Sequence, residues 1–357
     1  MTWPAAYHAG PERPVRSGAR STHYDAPVSG PASRRGEIVL LALGIALALG
    51  LAELAARLVA SSPAAGYAPV RTDTRERRPI NARGYRDLER ATPRPAGVRR
   101  LVCLGDSFTW GVGVLFDDTW PQRVERLLAR ERGERWEAVN LGEPGLNTVQ
   151  EAARLAAEGF AYQPDAVVLA YVLNDTEDDA TAAARAAEWL AEQKRQDRSL
   201  FDRSALVRLV RARLRATLEN RHRVSDYRAM YDESYPGWVE ARRALLTIGG
   251  LCREHGVPLV VAVFPLLANR LDDGYPFAAI HAKVDQAAGE AGARVVDLLP
   301  SYRGLEWRAL VVDGANDEHP NEVAYRIAAQ AIARAVSEVV TREGALPAPK
   351  RAGAEAR

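Results

Sequence analysis

A serine hydroxyl is a weak nucleophile until a base stands beside it. Ser107 sits where such help is useful. It ends the triplet Gly105-Asp106-Ser107, directly after the apolar run Leu101-Val102-Cys103-Leu104. A short apolar run closed by glycine reads as a buried strand ending in a turn. In open α/β sheets the carboxyl ends of strands are where ligands bind. Gly-Asp-Ser alone is common in turns. Three later stretches add weight: Asn140-Leu141-Gly142-Glu143-Pro144-Gly145-Leu146-Asn147-Thr148, Asn174-Asp175, and Asp317-Glu318-His319-Pro320-Asn321.

His319 is the best of the six histidines for the base. It follows an acidic run and precedes the last helical pattern. His8 and His23 fall in a Pro- and Gly-rich tail, and His222 and His255 in charged helical patterns. His281 is the competitor, but Ala278, Ile280 and Val284 around it make it a helix-face histidine. A catalytic imidazole needs an acceptor that orients it. Pro320 pushes His319 towards extended backbone, and side chains two apart on extended backbone face the same way. Asp317 is therefore the preferred partner. Asn316, Asp313 and a Ser-His pair without a carboxylate are the alternatives.

Acyl transfer also needs donors aimed at the developing oxyanion. Gly145 lets backbone approach a ligand closely. Asn174 ends a strand pattern at the same edge as Ser107; taken alone it reads as a turn or helix N-cap. Glu177, Asp178 and Asp179 read as a solvated helix start rather than a cation or sugar site. Trp110, Tyr171 and Phe264 lie near strand ends and read as packing first, pocket walls second.

The elements that must position these groups alternate from Leu101 onward. Strands are expected at Leu101–Leu104, Trp136–Leu141, Ala166–Val172, Leu259–Phe264 and Arg294–Leu298. Helices are expected at Trp120–Glu131, Val149–Phe160, Val239–His255, Phe277–Ala291 and Glu322–Thr341. Apolar strands alternating with amphipathic helices argue for a parallel sheet covered on both faces. A charged helical insertion is expected over about 176–237.

Residues 1–36 are rich in Pro, Gly, Ser and Arg and read as a disordered tail. Residues 37–60 read as a transmembrane signal-anchor helix, with Glu53 and Arg57 near one interface, since a span needs about 20 residues. A cleaved signal peptide and a buried amphipathic helix are the competing readings. Arg34 and Arg35 precede the run, so the N-terminus is expected in the cytoplasm and the remainder outside it. Residues 61–98 read as a tether and lead-in, 99–342 as the folded domain, and 343–357 as a disordered tail. The formal charge of +2 and the lack of a basic block interleaved with aromatics argue against nucleic acid. Cys103 and Cys252 read as buried small hydrophobes, and no metal-type Cys/His spacing occurs.

The four motif stretches, in this order, resemble the SGNH (GDSL) hydrolase family, and the match spans roughly Asn81 to Val340. The fuller form Gly105-Asp106-Ser107-Phe108-Thr109-Trp110-Gly111-Val112-Gly113 looks like a subgroup of membrane-tethered bacterial members. That resemblance implies a three-layer, flavodoxin-like α/β/α sandwich. It implies Ser107 as nucleophile, His319 as base, and the backbone N–H groups of Ser107 and Gly145 with the Asn174 amide as the oxyanion hole. No cofactor or metal is implied. Two departures stand out: Asn316 holds the position of the family's usual aspartate, and Val172 replaces a frequent glycine. The expected function is hydrolysis of a carboxylic ester, small-molecule or glycan-borne, by an inner-membrane protein with a periplasmic domain. The alternatives are an O-acyltransferase acting on envelope or exopolysaccharide and a non-catalytic envelope interaction module.

Overall fold

Every residue of two of the five main strands is buried, as the apolar runs require. The strands are β1 (Val98–Gly105), β2 (Arg135–Asn140), β3 (Ala166–Tyr171), β4 (Leu259–Val263) and β5 (Arg294–Asp297). The fully buried ones are β3 and β4, the mark of strands covered on both faces. The computed structural model describes residues 31–61, 79–177, 204–313 and 317–343. The strand order is β2-β1-β3-β4-β5, with every neighbour parallel. The chain steps outward from β1 to β2, then returns to the other side of β1 for β3. The carboxyl ends of β1 and β3 therefore flank the point where the winding reverses, which is where such sheets bind ligands.

The helices of this domain are α2 (Ser107–Trp110), α3 (Trp120–Arg132), α4 (Thr148–Glu158), α5 (Ala205–Met230), α6 (Pro236–Glu254), α7 (Ala278–Glu290), α8 (Leu299–Tyr302) and α9 (Glu322–Glu343). Helices α3 and α9 pack together, and α6 packs on both α4 and α7. These two groups are the outer layers of a three-layer α/β/α sandwich. In α3 the buried Trp120, Val124 and Leu128 recur every four residues, giving one face to the core.

A short antiparallel hairpin, β6 (Val311–Asp313) and β7 (Asp317–Pro320), lies outside the main sheet. Extended backbone before Pro320 was expected, but its pairing with residues 311–313 was not. Asn321 anchors its far end. Its amide donates to the carbonyls of Ala309 at 2.9 Å and Val311 at 3.1 Å. Its Oδ1 accepts from the amides of Val323 and Ala324, capping α9.

The lead-in, where Asn81–Arg86 reads as ordered, contributes to the domain. Arg86 is 2% exposed and donates to the carbonyls of Trp110 (3.0 Å), Val114 (2.6 Å) and Gly111 in the loop after α2. The buried Asp87 carboxylate accepts from the Asn140 amide at 3.1 Å. Two consecutive side chains thus brace two of the motif stretches.

Among the described residues, 31–58 form a separate unit. Helix α1 (Pro31–Ser61) begins within the stretch expected to be disordered rather than at residue 37. An 18-residue window within its segment Arg34–Leu58 has a mean hydropathy of 2.5, and the segment is long and apolar enough to cross a membrane. The two charges that interrupt it pair with each other, Arg57 Nε to Glu53 Oε1 at 2.8 Å. The expected tails at 1–30 and 344–357, the tether at 62–78 and the insertion at 178–203 lie outside the described residues. The described part of the insertion is mostly α5.

Replacing Arg86 with alanine leaves buried carbonyls without their donor. Hydrogen bonds to a charged partner are worth about 1.5–3 kcal/mol each. The expected loss is at least about 3 kcal/mol, read as a lower denaturant midpoint of the full chain in detergent.

Candidate active site

Gly105 closes β1 with φ at +146°, and a Cβ there would lie 2.1 Å from Thr109 Oγ1. Only glycine fits that approach. The turn it permits is locked by Thr109 Oγ1 donating to the Leu104 carbonyl at 3.0 Å. Asp106 then caps α2, accepting from the Phe108 amide at 2.9 Å. Ser107, the first residue of α2, is partly exposed at the carboxyl edge of the sheet. Its Oγ lies 2.9 Å from His319 Nε2, a residue 212 positions away on β7. The Phe108 ring sits 5.6 Å from the His319 ring and meets Phe264 edge-on. The Phe108 ring thus packs between the imidazole and Phe264.

Asn174 lies in the 3₁₀ turn Leu173–Thr176 that follows β3. Its Nδ2 donates to Asp106 Oδ2 at 3.2 Å, and Ser107 Oγ lies 3.4 Å from the same oxygen. Asp106 therefore links the two. The turn is braced by Asp175 Oδ2, which accepts from the Val172 amide at 3.1 Å. The Tyr231 hydroxyl donates to the Leu173 carbonyl at 3.1 Å and lies 2.8 Å from the Tyr171 hydroxyl.

The loop after β2 is tied to the same place. Asn140 donates to the Thr109 carbonyl at 2.9 Å and accepts from the Gly142 amide at 3.0 Å. The Glu143 amide donates to the Gly105 carbonyl at 3.2 Å. Gly145 has φ at +88°, and the Leu146 amide reaches the Glu143 carbonyl at 3.3 Å. Proline then glycine at the two central positions is the type II turn signature. Among the described residues no hydrogen bond joins Gly145 to Ser107 or Asn174; it lies exposed on this neighbouring turn.

The structure thus brings Ser107, His319 and Asn174 together around Asp106. Asp317 lies in β7 two residues before His319, in register with Asp313 of β6. Asn316 is outside the described residues. His281 is buried and engaged elsewhere, with Nδ1 2.8 Å from Asp297 Oδ1 and Nε2 3.3 Å from the Tyr275 hydroxyl. Tyr171 and Phe264 are core residues, Trp110 is partly exposed, and both cysteines are buried and free. Among the described residues no group of three His, Cys, Asp or Glu side chains is arranged to hold a metal ion. Asp106 and Asn140 act as bracing groups. Both stand inside the motif stretches, but only their distant partners reveal the role.

Three buried acids lie near one another behind this site. Burial raises the Asp106 carboxyl, opposed by hydrogen bonds from Phe108 and Asn174 and by the His319 charge. Burial first, then the Asp106 carboxylate, hold Glu151 well above its ordinary 4.5, with Arg154 opposing. Asp175 is raised well above 3.8 by burial, then by Glu151 and Asp106. A carboxyl raised in the folded state retains a proton that the unfolded chain releases, so its stabilisation fades as pH rises. Glu151→Gln keeps the neutral form at every pH. Its melting temperature relative to wild type is expected to be more favourable at pH 8 than at pH 5. A difference that is constant or reversed across that range would show Glu151 to be charged.

The model of the GDSL-like lipase/acylhydrolase family matches residues 103–327. No curated protein matches the chain. Among solved structures the crystal structure of TesA is 15% identical, with 68% of this chain and 99% of that one covered and a TM-score of 0.43. A two-domain esterase, CEX, active on acetylated mannans is 14% identical, covering 71% and 54%, with a TM-score of 0.41. The structure of a point mutant of Axe2, an acetyl-xylooligosaccharide esterase from a Geobacillus, is 18% identical, covering 67% and 94%, with a TM-score of 0.42. The family match runs from β1, which carries the Gly105-Asp106-Ser107 turn, into α9, which follows His319. This chain belongs to the GDSL-like lipase/acylhydrolase family and is an ester-hydrolysing enzyme.

Proposed function

We propose that this chain is a serine esterase in which Ser107 attacks the ester carbonyl and His319 carries the proton. The observation that supports this most is the 2.9 Å approach of His319 Nε2 to Ser107 Oγ. The imidazole takes the hydroxyl proton as the Oγ–carbon bond forms. It returns that proton to the leaving alcohol, which departs and leaves an acyl-enzyme. Water, deprotonated by the same imidazole, then releases the acid and restores Ser107. The oxyanion is held by the backbone N–H groups of Ser107 and Gly145 and by the Asn174 amide. Asn174 gives one amide hydrogen to Asp106 and has a second for the substrate.

Asp317 orients His319. The support is its position two residues earlier in β7, the spacing at which an extended strand repeats a face. The substrate is a carboxylic ester, either a small molecule or an O-acetyl or acyl group on a carbohydrate. The protein is a single-pass inner-membrane protein of a bacterium, tethered by α1, with its catalytic domain in the periplasm. The apolar span Arg34–Leu58 and the arginines Arg34 and Arg35 at its leading end support that orientation.

A fluorophosphonate probe is expected to label wild type and not Ser107→Ala; labelling that persists in the variant removes Ser107 as nucleophile. Loss of one oxyanion donor costs about 2.7–4 kcal/mol. Asn174→Ala should therefore lower kcat on p-nitrophenyl acetate by roughly a hundred- to a thousandfold. Asp317→Asn is expected to lower kcat sharply, whereas Asp313→Asn is expected to leave it near wild type. For topology, alkaline phosphatase fused after Pro63 is expected to be active, because it is exported. Activity of a cytoplasm-only reporter at that position contradicts the orientation.

A further inference from the structure

We infer that Arg223 is a positioning residue for the His319 base, acting through Glu318, so that the helical insertion helps hold the catalytic strand in place. This rests on the Ser107–His319 assignment proposed above.

The strand that carries His319 is poorly supported by its own pairing. It has four residues and pairs with the three-residue β6, outside the five-stranded sheet. Two-stranded ribbons are marginal without packing partners. Asn321 fixes the end next to α9, but it lies past His319. On the other side of His319 stands Glu318, whose Oε1 accepts from Arg223 Nη1 at 2.5 Å. Neighbouring residues leave an extended strand on opposite faces. His319 reaches Ser107, and Glu318 reaches α5. The ion pair and the catalytic contact therefore hold the strand from two sides.

Arg223 is itself held. One helical turn later, Tyr227 is buried with its ring edge-on to Phe277 at 5.4 Å. Arg228 Nη2 lies 3.5 Å from the Pro276 carbonyl. Just past α5, Tyr231 is 1% exposed and bonds the Leu173 carbonyl beside Asn174. The carboxyl-terminal half of α5 thus touches the turn after β3, the loop after β4, and β7. Those are three of the chain segments that border the site. A guanidinium placed on such a support fixes its partner's position as well as its charge.

Arg223 and Glu318 are 29% and 50% exposed. Exposed pairs add little to global stability, so the consequence is expected in geometry. A misplacement of about 1 Å can cost a hundredfold in rate. An effect of about 3–10-fold lies between these limits.

The test uses the full chain in detergent, with p-nitrophenyl acetate hydrolysis and the rate of fluorophosphonate labelling as readouts. Arg223→Gln and Glu318→Gln are each expected to lower kcat and the labelling rate about 3–10-fold, with KM and melting temperature unchanged. Arg223→Lys should lose less. The swap Arg223→Glu/Glu318→Arg should recover most of the rate, which a merely structural role would not produce. Wild-type kcat in Arg223→Gln, or a swap no faster than the single variants, overturns the inference. If a single variant melts early, the swap decides alone. His319→Ala run in parallel separates the two readings. If it is inactive while Arg223→Gln is fully active, only this inference fails. If His319→Ala stays active, the underlying assignment fails.

Discussion

One buried carboxylate organises this site. Asp106 accepts from the Phe108 amide, which sets the turn that presents Ser107, and from the Asn174 amide, which arrives from the end of β3. Its other contact is the Ser107 hydroxyl. A carboxylate in a fully buried position survives only with such partners. Its need for donors and the site's need for alignment are met by the same bonds. A group that looked like a turn residue in the sequence is the joint between Ser107 and Asn174.

The parallel sheet explains why that joint exists. Ser107 and Asn174 follow adjacent strands, and in a parallel sheet adjacent strands end at the same edge. The histidine has no such guarantee. It comes from the far end of the chain, beyond β5, on a hairpin that is not part of the sheet. Its position depends on side-chain ties: Asn321 towards α9, Phe108 beside the ring, and Glu318 towards α5. The half of the site built on the sheet is held by backbone pairing. The half proposed to move the proton is held by a few longer-range contacts.

That division also decides what was legible beforehand. The strands β1, β3 and β4 are apolar runs closed by turns, and each begins or ends within a few residues of the expected place. Helices α3 and α6 carried a clear apolar stripe. Ser107 and His319 stood out by residue type and order, and the structure brings their side chains to 2.9 Å from each other. The hairpin was not legible, since Asp317-Glu318-His319-Pro320 is charged and lacks the apolar alternation that marks a strand. Arg86 and Asp87 were missed because such residues are usually exposed, and their burial depends on distant partners. His281 looked like an ordinary helix-face residue because Asp297 and Tyr275 meet it only in the folded state.

The buried acids pose an electrostatic problem that the proposed chemistry makes sharper. Attack on an ester places new negative charge beside Ser107. Asp106, Glu151 and Asp175 lie near it; Asp106 raises both Glu151 and Asp175, and Glu151 raises Asp175. Three carboxylates there would oppose the oxyanion through a low-dielectric interior, where such repulsion is poorly screened. The fold answers by distributing partners unequally. Asp106 receives donors from Phe108 and Asn174 and faces His319, all of which favour its charged form. Glu151 is fully buried, and neither of its oxygens has a hydrogen-bond partner among the described residues. A carboxyl in that position protonates rather than remain charged. Asp106, which aligns the site, is thus supplied with hydrogen-bond donors, whereas the buried Glu151 carboxyl has none among the described residues.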